Sequence, residues 1–218
     1  MDEDLTDLER RYYLDLAAAS VRGKVPDAVN LPSAEAVRLG LRVGLRRHQF
    51  KRTGELPRVR RVLGMLRGLT PQDLLDIGSG RGVFLWPLLD AFPELPVLAL
   101  DRDRRRIEDL HAVARGGIKR LTVLAGDVCR LPLVDRSVDG VAILEVLEHL
   151  TEPARAVAEA VRVARRFIVV SVPSKEDDNP EHIHLFTNES LHALFRAAGA
   201  RRVRFESVLN HRLALAMV

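Results

Sequence analysis

Residues 74–84, Leu-Leu-Asp-Ile-Gly-Ser-Gly-Arg-Gly-Val-Phe, constrain the fold of this chain more than any other stretch. A short apolar run, broken only by Asp76, gives way to three alternating glycines, Gly78, Gly80 and Gly82. A second apolar run, Val83 to Leu89, follows at once. A buried parallel strand that turns sharply into a helix has this pattern. Glycine lets the backbone take positive φ and come close to a ligand, and free N–H groups at a helix start hold polar or anionic parts of it.

The spacing narrows the ligand. Val83 stands where a dinucleotide fingerprint, Gly-x-Gly-x-x-Gly, would need its third glycine. Asp76, just before the glycines, would repel a diphosphate and welcome a cation.

From Asp73 onward, predicted strands and helices alternate. Strands fall at 73–77, 97–100, 121–125, 138–144 and 167–172, and a closing pair at 201–207 and 211–218. Alternation of this kind predicts an α/β fold, a mostly parallel sheet with helices on both faces. The preceding residues read as helices. One covers 4–20, opened by the capping box Thr6-x-x-Glu9, with Leu5, Leu8, Tyr12 and Leu16 at helical spacing. A second is capped by Ser33, with Val37, Leu41 and Leu45 in line, and a third runs from Pro57 to Leu66 with a stop at Gly68. Residues 1–70 are thus expected to form a helical cap on a domain at 71–218.

The second segment with chemistry is Leu144-Glu145-Val146-Leu147-Glu148-His149-Leu150. On a helical turn, Glu145, Glu148 and His149 would share one face. Two carboxylates and an imidazole so close need a shared proton or a cation. The loop after the fifth strand carries Glu181-His182-Ile183-His184 and opens at the same sheet edge. Glu145, Glu148, His149 and His182 are therefore a candidate metal set, for Mg²⁺ or Mn²⁺ through carboxylates and Zn²⁺ or Co²⁺ through histidines. Without a metal, His149 is the candidate general base.

These segments together resemble the class I S-adenosylmethionine-dependent methyltransferases, whose first motif has the form Asp-x-Gly-x-Gly-x-Gly found at Asp76 to Gly82. The resemblance covers residues 71–218 and implies a Rossmann-like seven-stranded sheet. It implies S-adenosylmethionine as cofactor, held by Asp76, Gly78, Gly80, Gly82 and Asp101, the last accepting the ribose hydroxyls. Asp127 would take the adenine amino group, Val128 would offer a backbone N–H nearby, and Leu144 and Glu145 would lie beneath the sulfonium. The Glu-x-x-Glu-His segment is similar to that of ubiquinone-type O-methyltransferases. It is similar also to small-RNA 3′-terminal 2′-O-methyltransferases, in which a histidine precedes a threonine by five residues, as His182 precedes Thr187. Those enzymes have a charged residue and tryptophan where Leu185-Phe186 stand here, and a longer intervening segment.

Charge bears on the partner. Between Arg38 and Arg67 there are ten Lys/Arg and one acid, Glu55, in a chain whose net charge is +4. This stretch, 38–67, is either a solvated helix face or an RNA contact; few aromatics are interleaved for base stacking. The acidic start, the lone Cys129 and the lack of a membrane-length apolar run predict a cytoplasmic protein. Cys129 reads as a small packer, Trp86 as core, and His48, His192 and His211 as structural or solvated. The expected function is O-methylation of a small-molecule acceptor, with Glu145, Glu148 and His149 as catalytic residues and the N-terminal helices closing over the acceptor. The alternatives are 2′-O-methylation of RNA and a non-catalytic binding module on the same fold.

Overall fold

The computed structural model describes residues 9–176 and 178–218. Seven strands form one sheet: β1 (Leu74–Ile77), β2 (Val97–Asp101), β3 (Leu121–Ala125), β4 (Val138–Leu144), β5 (Ala164–Pro173), β6 (Arg202–Val208) and β7 (His211–Met217). Their order is β3-β2-β1-β4-β5-β7-β6. β2 and β3 run parallel, as do β1, β4 and β5, whereas β7 is antiparallel to both β5 and β6. This is the Rossmann-like, seven-stranded α/β sheet expected from the sequence. β4 is buried throughout, as is β5 from Phe167 onward, which explains why both read as near-continuous apolar runs.

The α-helices among the described residues are α1 (Leu14–Arg22), α2 (Ser33–Arg42), α3 (Pro57–Leu69), α4 (Leu85–Ala91), α5 (Arg104–Arg115), α6 (Pro153–Val163) and α7 (Asn188–Ala197). Among the described residues, no helix is long and apolar enough to cross a membrane.

Packing divides the chain into two units. The first joins the residues up to Glu55 with Ser79–Ala125, and the second joins Leu56–Gly78 with Gly126–Val218. The boundary at residue 70 read from the sequence does not coincide with this division, because α3 packs with β6 in the second unit. In the first unit α1 lies against α2 and α5, so closely that small residues are required. A Cβ on Gly23 would meet Ala112 O at 1.9 Å, and one on Gly116 would meet Ala19 O at 1.7 Å. α1 is thus fastened to the helix that follows β2, and α2 packs on α1.

Several local expectations are corrected. The capping box at Thr6 lies outside the described residues. The helix expected over 4–20 is broken at Tyr12, which bridges to Lys51, and α1 begins at Leu14. Ser33 is the first residue of α2, after Pro32, and its hydroxyl donates to Asp15 Oδ1 at 2.8 Å instead of capping. α2 stops in a Schellman turn: Gly44 takes φ +96° and Leu45 N donates to Gly40 O at 2.7 Å. α3 runs past Gly68 to Leu69, and Thr70 takes the left-handed position at φ 45°. The helix after the glycines starts only at Leu85, since Gly82 at φ +80° still belongs to the turn. Thr187 caps α7, reciprocally with Ser190.

Candidate active site

In the first unit, the glycine turn is built around Asp101 at the end of β2. Gly80 N–H donates to Asp101 Oδ2 at 2.8 Å, and Asp103 N–H donates to Oδ1 at 2.9 Å. Each oxygen keeps a lone pair for a ligand hydroxyl while the backbone fixes the carboxylate's orientation. Gly80 sits at φ +53° and Gly82 at +80°. A side chain at Gly82 would also strike Trp86, its Cβ falling 2.1 Å from Cε2. Trp86 is core, as expected: it is 4% exposed, stacks on Phe50 at 5.3 Å and donates from Nε1 to Gln49 O.

In the second unit, β1 carries Asp76, which is 2% exposed, as its next-to-last residue, and Gly78 follows the strand at φ +71°. A Cβ there would come within 2.4 Å of Val146 Cγ2, so the residue after β1 must be small to let the β4 loop pass. Asp127 Oδ1 accepts Cys129 N–H at 2.9 Å, a turn that fixes this carboxylate next to Val128. Burial first, then Asp127 and Glu152, hold the Cys129 thiol above its usual range, as befits a packing residue and not a nucleophile. Leu144, at the end of β4, is buried.

The segment after β4 departs from the expected helical turn. Glu145 takes φ +57°, and only Leu147–His149 form a turn of 3₁₀ helix. The spacing that would align Glu145 with Glu148 and His149 is therefore lost. Glu145 turns to a different set of partners: Ser171 Oγ–H donates to Oε1 at 2.6 Å, His211 Nε2 lies 3.1 Å from Oε2, and Arg58 Nε lies 3.9 Å away. His211, read from the sequence as structural or solvated, is thus a partner of a candidate site residue. No local sequence signal reveals this, because the partners come from α3, β5 and β7.

Glu148, His149 and His182 do come together. Their candidate ligand atoms all lie within 4.8 Å of one another, and the group could hold a metal ion. The backbone explains why: Ile183 N–H and His184 N–H both donate to Glu148 O, at 2.9 and 3.3 Å, stitching the β5 loop to the 3₁₀ turn. Glu148 is fully buried. The imidazoles of His149 and His182 stand 4.8 Å apart, tilted by 60°. His149 Nδ1 lies 3.0 Å from Glu181 O, a carbonyl that can only accept. This partner assigns the ring hydrogen to Nδ1 and leaves the Nε2 lone pair available to a metal or a proton. His184 is held apart, its Nε2 2.9 Å from Leu150 O.

The basic stretch is dispersed. Arg47 stacks on Tyr12, Arg52 covers Tyr13 and pairs with Asp90, Arg58 approaches Glu145, and Arg61 pairs with Glu206. The residues fall in both packing units.

Known proteins match this architecture. Residues 75–167 match the family described as Methyltransferase domain. A malonyl-[acyl-carrier protein] O-methyltransferase of Methylococcus capsulatus is 28% identical over 154 residues, which are 64% of this chain and 56% of the relative. A demethylmenaquinone methyltransferase of Renibacterium salmoninarum is 34% identical over 113 residues, 51% of this chain and 45% of the relative. The chain spans from 30% to 59% of the length of the curated relatives it matches. Among solved structures, a SAM-dependent methyltransferase from Aquifex aeolicus superposes with a TM-score of 0.61 at 25% identity, covering 76% of this chain and 92% of that one. The fold and its glycine turn are those of the class I methyltransferases. The chain carries an S-adenosylmethionine-dependent methyltransferase domain of that class.

Proposed function

We propose that this protein transfers a methyl group from S-adenosylmethionine to an oxygen of a small-molecule acceptor, with Glu148, His149 and His182 on the acceptor side. The observation that carries the reading is the meeting of these three side chains, delivered by two separate loops at the carboxyl ends of β4 and β5. In an open α/β sheet, that edge is where ligands are handled. The Methylococcus capsulatus relative is named an O-methyltransferase, which supports oxygen as the acceptor atom.

S-adenosylmethionine supplies a methyl group already activated by its sulfonium, so the chain has to orient an acceptor and remove its proton. In the first unit, Asp101 presents a carboxylate fixed by two backbone N–H groups to the ribose hydroxyls, and Gly80 and Gly82 leave the turn bare of side chains. In the second unit, Asp76, Gly78, Asp127, Val128 and Leu144 are the cofactor-binding residues. His149 holds its Nδ1–H on Glu181 O and offers Nε2 to the acceptor's proton. The buried Glu148 beside it favours the resulting imidazolium.

The same three residues suit a divalent metal. One carboxylate with two imidazoles fits Mn²⁺, Zn²⁺ or Co²⁺ better than Mg²⁺, which prefers oxygen alone. Glu145 belongs to the Ser171–His211–Arg58 set and not to this one. A metal held there would lower the acceptor hydroxyl's pKa.

Calorimetry tests the cofactor half: Asp101→Ala is expected to weaken S-adenosylmethionine binding by about 1.5–3 kcal/mol, the worth of a charge-assisted hydrogen bond. Unchanged affinity, or tight NAD binding, overturns it. We place RNA 2′-O-methylation second, because so many arginines of 38–67 already have partners. A log–log salt slope near −0.7 per phosphate in binding to a short RNA would reverse that order.

A further inference from the structure

The first unit contains a second cleft, with a cavity of about 670 Å³, built from the ends of α1 and α2 and the first turns of α5. None of the residues assigned above to cofactor or acceptor lines it. One wall is apolar: Val21, Val25, Val43 and Leu45. The Schellman turn at Gly44 shapes this wall, leaving Val43 60% exposed at the rim. Gly40 keeps the floor open to its neighbours, since a Cβ there would meet Val21 Cγ2 at 2.4 Å.

The other wall is charged. Lys24 is tied to Asp109 across the cleft, so these two cancel. Arg46 and Arg105 also line the space, and among the described residues neither side chain has an ion pair or hydrogen bond. One acid, Glu108, stands with them, so the charge left over is positive. A guanidinium binds carboxylate, sulfonate or phosphate through paired N–H groups, and such bonds strengthen beside apolar surface. The volume lies within the range of small-molecule sites, roughly 300–1,000 Å³.

We propose that this cleft binds a small organic anion with an apolar body, its anionic group on Arg46 and Arg105 and its body against Val21, Val25, Val43 and Leu45. The cleft shares no lining residue with the methyl-transfer machinery, so the proposal stands whether or not the reading of Glu148, His149 and His182 holds.

The probe is 1-anilinonaphthalene-8-sulfonate, an aromatic sulfonate that fluoresces in apolar surroundings, titrated into the full chain. S-adenosylhomocysteine is present in excess to occupy the cofactor site. Saturable binding of one probe per chain is expected, weakened at least about tenfold in Arg46→Ala and in Arg105→Ala, as the loss of a charged hydrogen-bond partner implies. Val43→Asp, at an exposed position, is expected to abolish it. Arg201→Ala, on an exposed arginine outside the cleft, is expected to leave it unchanged. Calorimetric S-adenosylhomocysteine binding by each variant shows that its fold is intact. Non-saturating fluorescence, displacement of the probe by S-adenosylhomocysteine, or equal affinity in the arginine variants and the parent overturns the proposal.

Discussion

Two polar clusters of the second unit, both built on a glutamate, are put to opposite uses. Around Glu159, Arg162 spends all five of its donors. Nε and Nη2 clasp the carboxylate at 2.7 and 2.8 Å, Nη2 also reaches Leu131 O, and Nη1 reaches Leu133 O and Asp135 Oδ1. Glu159 in turn accepts Leu131 N–H at 2.7 Å. The cluster is saturated, and it sews the 131–135 segment to α6. Around Glu148 two imidazoles join the carboxylate, candidate ligand atoms of all three lying within 4.8 Å of one another, and Nδ1 of His149 is committed to Glu181 O. A saturated cluster holds structure. One whose lone pairs converge is equipped for a proton or a cation.

The largest expected effect breaks the second cluster alone. Glu148→Gln keeps the side chain's shape but removes its charge. Mn²⁺ or Zn²⁺ retained after dialysis, read by elemental analysis, is expected to fall as affinity drops by at least about 100-fold, or about 2.7 kcal/mol. His182→Ala is expected to do the same. If the parent protein retains no metal, the cluster is left to acid–base work and His149 stands as the base.

Arg162→Met breaks the first cluster. It strips Glu159 and two carbonyls of their donor, and we expect a loss of about 2–3 kcal/mol in urea unfolding, with metal content and cofactor affinity unchanged. A loss below about 0.5 kcal/mol would reduce the clamp to a surface ion pair.

The smallest effect sharpens the contrast by pH. Hydrogen bonding to Arg162 holds the Glu159 carboxyl below its usual range. A lowered folded-state pKa contributes stability above the unfolded value, about 4.3, and that stability is lost as pH falls through the folded value. The stability gap between the parent and Arg162→Met should therefore be full at pH 6 and narrow as pH falls below about 4. A gap that stays constant to pH 3 would mean that Arg162 acts through Leu131 O and Leu133 O alone.

What the residues declare locally, the sequence determined. The apolar runs of β4 and β5, the glycine turn at 78–82, the carboxylates at the ends of β1 and β2 and the Thr187 cap are encoded within a few positions of themselves, by periodicity, by φ requirements and by hydrogen bonding to the nearest backbone. The pairing of Glu148 and His149 with His182 was legible for the same reason, since the alternating pattern brings the ends of neighbouring parallel strands to one edge. Tertiary structure decided the rest. Glu145 left the metal set because its positive φ turned it toward Ser171, His211 and Arg58, residues brought near only by the assembled sheet and by α3. α1 packs on α5 because Gly23 and Gly116 permit backbone contacts there that any larger residue would prevent. Close approach between distant segments depends on the shapes of both partners at once, and no local pattern carries that information.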